Sequence, residues 1–182
     1  MTVKQRLILV TGPARSGKSE WAEHLAAQSG HSVIYVATAQ VNPDDPEWLA
    51  RIQQHQQRRP ADWVTQPVPI ALSACIQTAQ PTDCLLIDSL GTWVANLLEQ
   101  SDQSWEHILT ELIGHLSQSV STIILVAEET GWGVVPAYAS GRLFRDRLGD
   151  LTRRVAAIAD GAYLVTAGYV LNLKQLGVPV RT

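Results

Sequence analysis

Cysteine is nearly absent from this chain of 182 residues. Cys75 and Cys84 stand apart, outside any C-x-x-C spacing, which excludes a disulfide framework and a zinc pattern. Charge is sparse too, at 17 % of residues, and 14 Lys and Arg against 17 Asp and Glu leave a net charge of −3. With no basic excess to neutralise phosphates, nucleic acid is not an expected partner. No apolar run reaches the roughly 18–20 residues that a membrane span needs. Lys4 and Arg6 lead directly into a short apolar strand and then glycines, which is not a signal peptide. What the chain does have is 46 % hydrophobic residues, enough for a packed core. One domain spanning residues 1–182 in the cytoplasm is expected.

Apolar runs of strand length alternate with amphipathic stretches. Leu7–Val10, Ser32–Ala37, Cys84–Ile87, Thr122–Ala127 and Ala162–Thr166 read as strands buried on both faces. Lys18–Gln28, Glu47–Gln57, Ile70–Gln80, Thr92–Glu99, Ser104–Ser117 and Gly141–Ala159 read as helices. This alternation predicts an α/β fold, three-layered and P-loop NTPase-like, with a mostly parallel central sheet. Tyr169–Lys174 follows the last strand after Gly168, a link too short for a parallel crossover, so an antiparallel C-terminal edge is expected.

The strongest local signal is Gly12-Pro13-Ala14-Arg15-Ser16-Gly17-Lys18-Ser19. It fits G-x-x-x-x-G-K-[ST] between a predicted strand and a predicted helix, the setting in which backbone N–H groups converge on phosphate oxygens. Lys18 is expected to reach the β- and γ-phosphates, and the Ser19 hydroxyl to bind Mg²⁺. Asp88, ending a strand, is the candidate to share that Mg²⁺ shell, although Asp88 or Ser89 could instead cap the next helix. Glu128 and Glu129 end another strand, and one of them is a candidate to orient or deprotonate a hydroxyl nucleophile. The five arginines 142, 145, 147, 153 and 154 on the last long helix read as a solvated or intersubunit face ahead of a grip on substrate.

One histidine stands out. His55 lies between Arg51 and the pair Arg58-Arg59, so a triphosphate neutralised by those arginines would present its α-phosphorus to an imidazole nitrogen. Spacing alone leaves open a surface histidine.

The chain resembles the bifunctional adenosylcobinamide kinase / adenosylcobinamide-phosphate guanylyltransferase family of cobalamin assembly. The likeness runs from Leu7 to Lys174. It is carried by Thr11–Ser19, Tyr35–Ala39, Arg51…His55…Arg58-Arg59-Pro60…Trp63 and Leu85–Leu90 with Asn96-Leu97-Leu98. Glu129-Thr130-Gly131-Trp132-Gly133-Val134-Val135-Pro136, Arg142–Gly149 and the ending Ala167-Gly168…Leu173-Lys174 complete it. The resemblance implies phosphorylation of adenosylcobinamide with ATP or GTP, then transfer of GMP from GTP through a guanylylated His55. It implies nucleotide contacts by Gly12 to Ser19, by Ala37, Thr38 and Ala39, by Gln56, Gln57, Arg58 and Arg59, by Gln66 and by Asp88. It also implies Mg²⁺ and a homotrimer. Neutral imidazole is the competent nucleophile, so activity is expected to fall below the ordinary histidine pKa of about 6.5.

The chain departs from the family's usual pattern in places: Glu128 stands where Asn is common, Gln66 where Glu is frequent, and Gly161 where an acid follows Asp160. Two other functions fit a P-loop: a kinase without nucleotidyl transfer, and a nucleotide-regulated switch or assembly module.

Overall fold

The computed structural model describes residues 5–40, 44, 50, 53 and 58–180. The expected helix Glu47–Gln57 lies almost wholly outside the described residues. In chain order the elements are β1 (Leu7–Gly12), α1 (Lys18–Ala27), β2 (Ser32–Ala37), β3 (Val64–Pro67), α2 (Leu72–Thr78), β4 (Asp83–Asp88) and α3 (Leu90–Asn96). There follow α4 (Asp102–Gln118), β5 (Thr122–Glu128), α5 (Ala139–Ile158), β6 (Gly161–Thr166), β7 (Tyr169–Asn172) and α6 (Leu173–Leu176). The strands form one sheet in the order β3-β2-β4-β5-β1-β6-β7. Every pairing is parallel except β6 with β7, which confirms the expected α/β class and its antiparallel edge. The turn into β7 needs only two residues, Ala167 and Gly168, because both adopt left-handed φ angles (50° and 78°). That conformation matches the right-handed twist of a tight hairpin.

The period-2 alternation of the central strands divides the core into two layers. Leu7, Leu9, Leu85, Ile87, Ile123 and Leu125 face α2 to α5, meeting Leu72, Trp93, Leu109, Leu112, Leu148 and Leu151. Ile8, Val10, Cys84, Leu86, Ile124 and Val126 face the other way, against Ala22 and Ala26 of α1. On α4 the buried residues Trp105, Leu109, Leu112 and Leu116 recur at helical spacing, which explains why this face docks. The chain leaving β1 therefore crosses one face of the sheet, and the chain leaving its neighbour β5 crosses the other. Such a parting opens a crevice at the carboxyl ends of the strands, where α/β sheets bind ligands.

The arginines of α5 are not one solvated face. Arg154 holds Glu106 through two bonds of 2.6 and 2.9 Å, Arg153 meets Asp150, and Arg145 lies beside Asp146. Arg147 is buried and donates to the carbonyls of Leu97, Leu98 and Gln100, and to Asp102. It thus satisfies carbonyls that the end of α3 leaves without helical partners. Asp102 is 95 % exposed, so the ion pair adds little, and the three carbonyls carry the effect. Arg147→Ala is expected to lower unfolding free energy by about 3 kcal/mol, because it strands the Leu98 and Gln100 carbonyls, while Leu97 keeps the Gln100 N–H. Asp102→Asn is expected to cost less than about 1 kcal/mol. Urea denaturation of the two variants checks the contrast.

Candidate active site

β1 ends at Gly12, whose α-carbon is packed so closely against the Val165 carbonyl and the Ser16 hydroxyl that no side chain fits there. The loop then turns with Arg15 at φ 58° and Gly17 at φ 93°, conformations that aim successive N–H groups inward as an anion-binding nest. Gly17 precedes α1 without any side-chain cap, so the first N–H groups of that helix stay open to a ligand. Lys18 is buried, and among the described residues its ammonium bonds only the Pro13 carbonyl, at 3.3 Å. The Ser16 hydroxyl is buried with no partner. An ammonium and an orphaned hydroxyl beside an uncapped helix start form a cradle suited to an anion. Gly12 to Ser19 thus form one loop and helix start around this cradle.

Asp88 does not cap α3. Ser89 does, accepting from the Thr92 N–H in a capping box, which leaves the Asp88 carboxylate to accept from the Tyr35 hydroxyl at 3.0 Å. Burial and the neighbouring Asp88 both raise the Tyr35 pKa, so this phenol remains a donor at any working pH. Glu23 sits one turn after Ser19 on the same face of α1. Burial, with a smaller contribution from Asp88, raises the Glu23 pKa against the pull of Arg58. Ser19 and Asp88 are hard oxygen donors, and among the described residues no group of three His, Cys, Asp or Glu could cage a metal. One hydroxyl and one or two carboxylates, completed by phosphates, suit Mg²⁺.

The two adjacent glutamates diverge, as strand neighbours must. Glu129 accepts from the Thr11 hydroxyl at 2.7 Å, and its N–H donates to the Gly12 carbonyl, so it borders the cradle. Glu128 turns to α3, where its carboxylate accepts from the Ser89 hydroxyl at 2.5 Å and the Gly91 N–H at 3.0 Å. Its charge is thus held at a helix N-terminus, where it is stabilising. This removes Glu128 as a candidate base. Gly91 belongs to the same device, because a β-carbon there would overlap the Glu128 carboxylate.

The remaining predicted residues scatter. Ala37 and Ala39 flank Thr38 at the end of β2, but Thr38 is fully buried. Its hydroxyl donates to the Ser89 carbonyl, accepts from the Ser89 N–H and bonds Thr92. The side chain expected to touch nucleotide is instead an internal strut. Arg58 pairs with Glu20 at 2.8 Å and lies 3.5 Å from Glu23. The Arg59 guanidinium stacks 3.2 Å over the Tyr35 ring. Gln66 lies on the exposed edge strand β3, beside a groove formed with Pro67, Pro69 and Ile70. That is four strands from β1, about 19 Å at the usual strand spacing, so Gln66 is not part of the cradle. His55, Gln56 and Gln57 lie outside the described residues.

A family model described as cobinamide kinase / cobinamide phosphate guanyltransferase matches residues 8–173. The chain belongs to this family. It is 42 % identical over 168 residues to the bifunctional adenosylcobalamin biosynthesis protein CobP of Pseudomonas aeruginosa, covering 91 % of this chain and 96 % of that one. It is 37 % identical to the CobU protein of the same description in Salmonella typhimurium, covering 92 % and 99 %. Among solved structures, an ATPase of a bacterial type III secretion system superposes with a TM-score of 0.55 at 13 % identity, over 96 % of this chain and 53 % of that one. That likeness shows the shared fold alone.

Sequence reasoning missed Glu23, Tyr35 and Thr11. Glu23 carried a readable signal, its one-turn spacing from Ser19.

Two predictions follow from these contacts. Gly91→Ala and Glu128→Ala are each expected to destabilise by about 1–3 kcal/mol, while the double variant costs clearly less than the sum, since removing one side chain makes room for the other. A denaturation cycle measures this. Because the folded state raises the Glu23 pKa, it favours the protonated form, and that stabilisation fades as pH rises through the Glu23 titration. Glu23→Gln is therefore expected to raise the melting temperature at pH 7 and to change little at pH 4.

Proposed function

We propose that this chain phosphorylates adenosylcobinamide with ATP or GTP and then transfers GMP from GTP to the phosphate so formed. Family membership supports both reactions, and the observation that carries the reading is the buried Lys18 over an uncapped helix start. In the first reaction the terminal hydroxyl of the aminopropanol arm attacks the γ-phosphorus and expels the nucleoside diphosphate. Lys18 and the loop N–H groups stabilise charge on the transferring phosphoryl group. Glu129, beside Thr11 at the edge of the cradle, is the candidate to take the hydroxyl proton.

In the second reaction a nitrogen of His55 attacks the α-phosphorus of GTP and releases pyrophosphate. A phosphate oxygen of the substrate then displaces the histidine, giving adenosylcobinamide-GDP. Arg58 and Arg59 follow His55 by three and four residues, so both lie within its reach. Ser19 and Asp88 would hold Mg²⁺, which when bound neutralises phosphate charge. Gln56, Gln57, Ala37 and Ala39 remain proposed nucleotide contacts, and Gln66 is proposed as a contact outside the cradle. No described helix is long and apolar enough to cross a membrane. A single domain, a cytoplasmic location and a homotrimer complete the reading.

Incubation with α-labelled GTP and Mg²⁺, followed by denaturation, tests it. Acid-labile, alkali-stable label on the wild type and none on His55→Ala is the expected result. Label transfer to cobinamide from γ-labelled but never from α-labelled nucleotide would leave a kinase alone.

A further inference from the structure

The segment 130–138 between β5 and α5 carries a concentration of unpartnered apolar surface. Trp132 is 66 % exposed, Val134 94 %, Val135 58 % and Tyr138 81 %. Monomeric proteins seldom leave large apolar side chains clustered in solvent without a ligand or partner for them. The segment is anchored at both ends. Its start is fixed to the cradle, because the Glu129 N–H donates to the Gly12 carbonyl at 3.0 Å. Its end is fixed to α5, because Arg142 donates to the carbonyls of Pro136 and Ala137 at 3.0 and 2.7 Å. Gly131 and Gly133, on either side of Trp132, border open space and leave the backbone around the indole conformationally free.

Covalent reach limits where this surface acts. Trp132 lies three positions after Glu129, so the indole-bearing backbone stays within about 11 Å of the cradle's edge. Several other exposed apolar groups are placed differently. Val64 and Ile70 belong to the far edge around β3, and Leu171 and Leu173 follow β7 as it runs back toward the amino edge of the sheet.

We propose that segment 130–138 is the platform for the corrin macrocycle, with Trp132 and Val134 against the ring face while the aminopropanol arm carries its hydroxyl to the P-loop. The inference rests on the function proposed above. That function requires a wide, largely apolar ring to lie one flexible arm away from a γ-phosphate. This cluster grows out of the cradle's own border, so it meets that requirement; the exposed Tyr169, opposite Thr166 at the carboxyl end of β6, flanks the same border.

Equilibrium dialysis with cobinamide, read by its visible absorbance, tests the assignment on the full-length protein. Trp132→Ala and Val134→Ser are each expected to weaken binding at least tenfold, and Trp132→Phe to stay within about threefold of wild type. Melting temperature and sedimentation are expected to match wild type. Unchanged affinity in Trp132→Ala and Val134→Ser would overturn the proposal. Weakened binding accompanied by dissociation of subunits would overturn it as well, making the segment an interface between copies. A wild-type protein that binds GTP but no cobinamide would instead sink the proposed function, and this inference with it.

Discussion

A buried ammonium that no carboxylate pairs with among the described residues is the constraint around which the carboxyl edge of the sheet is arranged. Lys18 has left water and has gained only the Pro13 carbonyl in return. Burying a charge without a counter-charge is unfavourable, and folding tolerates it here because the rest of the core supplies the stability. The chain keeps its acids away from that ammonium. Glu129 is engaged by Thr11, Glu128 by the start of α3, and Glu20 and Glu23 by Arg58. An anionic ligand entering the cradle thus meets a positive site that no internal carboxylate already occupies.

Rigidity next to the cradle comes from α3, a helix of seven residues that would not persist alone. Opposite charges hold its two ends, Glu128 at the first turn and Arg147 beyond the last. The capping box of Ser89 and Thr92 and the buried Thr38 hydroxyl join the same network, and Asn96 donates to the carbonyls of Thr38 and Pro69. Strand ends β2, β4 and β5 are therefore tied together through one short helix. Asp88, the residue before Ser89, inherits its position from that tie. The Glu128 charge, which looks costly near phosphates, is turned to the positive end of a helix.

Sequence legibility follows from how each residue earns its place. Central strands such as Leu7–Gly12 and Thr122–Glu128 were readable because burial on both faces demands an unbroken apolar run. The edge strand β3 has four exposed residues and no periodicity, so it is weakly written. The P-loop was fully legible because its chemistry is local. Glu128 and Glu129 were not separable, since sequence does not say which side of a strand end meets the next helix. Arg147 was separable in principle: it stands one turn before Leu151 on the buried stripe of α5, where a charged residue signals an internal partner. The internal role of Thr38 depends on Ser89, 51 residues away, and no local pattern announces such a bond.

α1 also joins the two halves of the proposed chemistry. Its first residue, Lys18, belongs to the cradle, while Glu20 and Glu23, one turn on, hold Arg58. At 1.5 Å of rise per residue the two groups are separated by less than about 8 Å along the axis. A guanidinium tied to that helix places Arg58, three positions after His55 in sequence, beside the cradle's helix. Tyr35 and Asp88 stand between, with Arg59 stacked on the phenol. A single helix start thus serves a γ-phosphoryl transfer at its N-terminus, and its acidic second turn anchors the segment proposed to attack an α-phosphorus. This geometry explains how one sheet edge can host both reactions without a second nucleotide-binding fold.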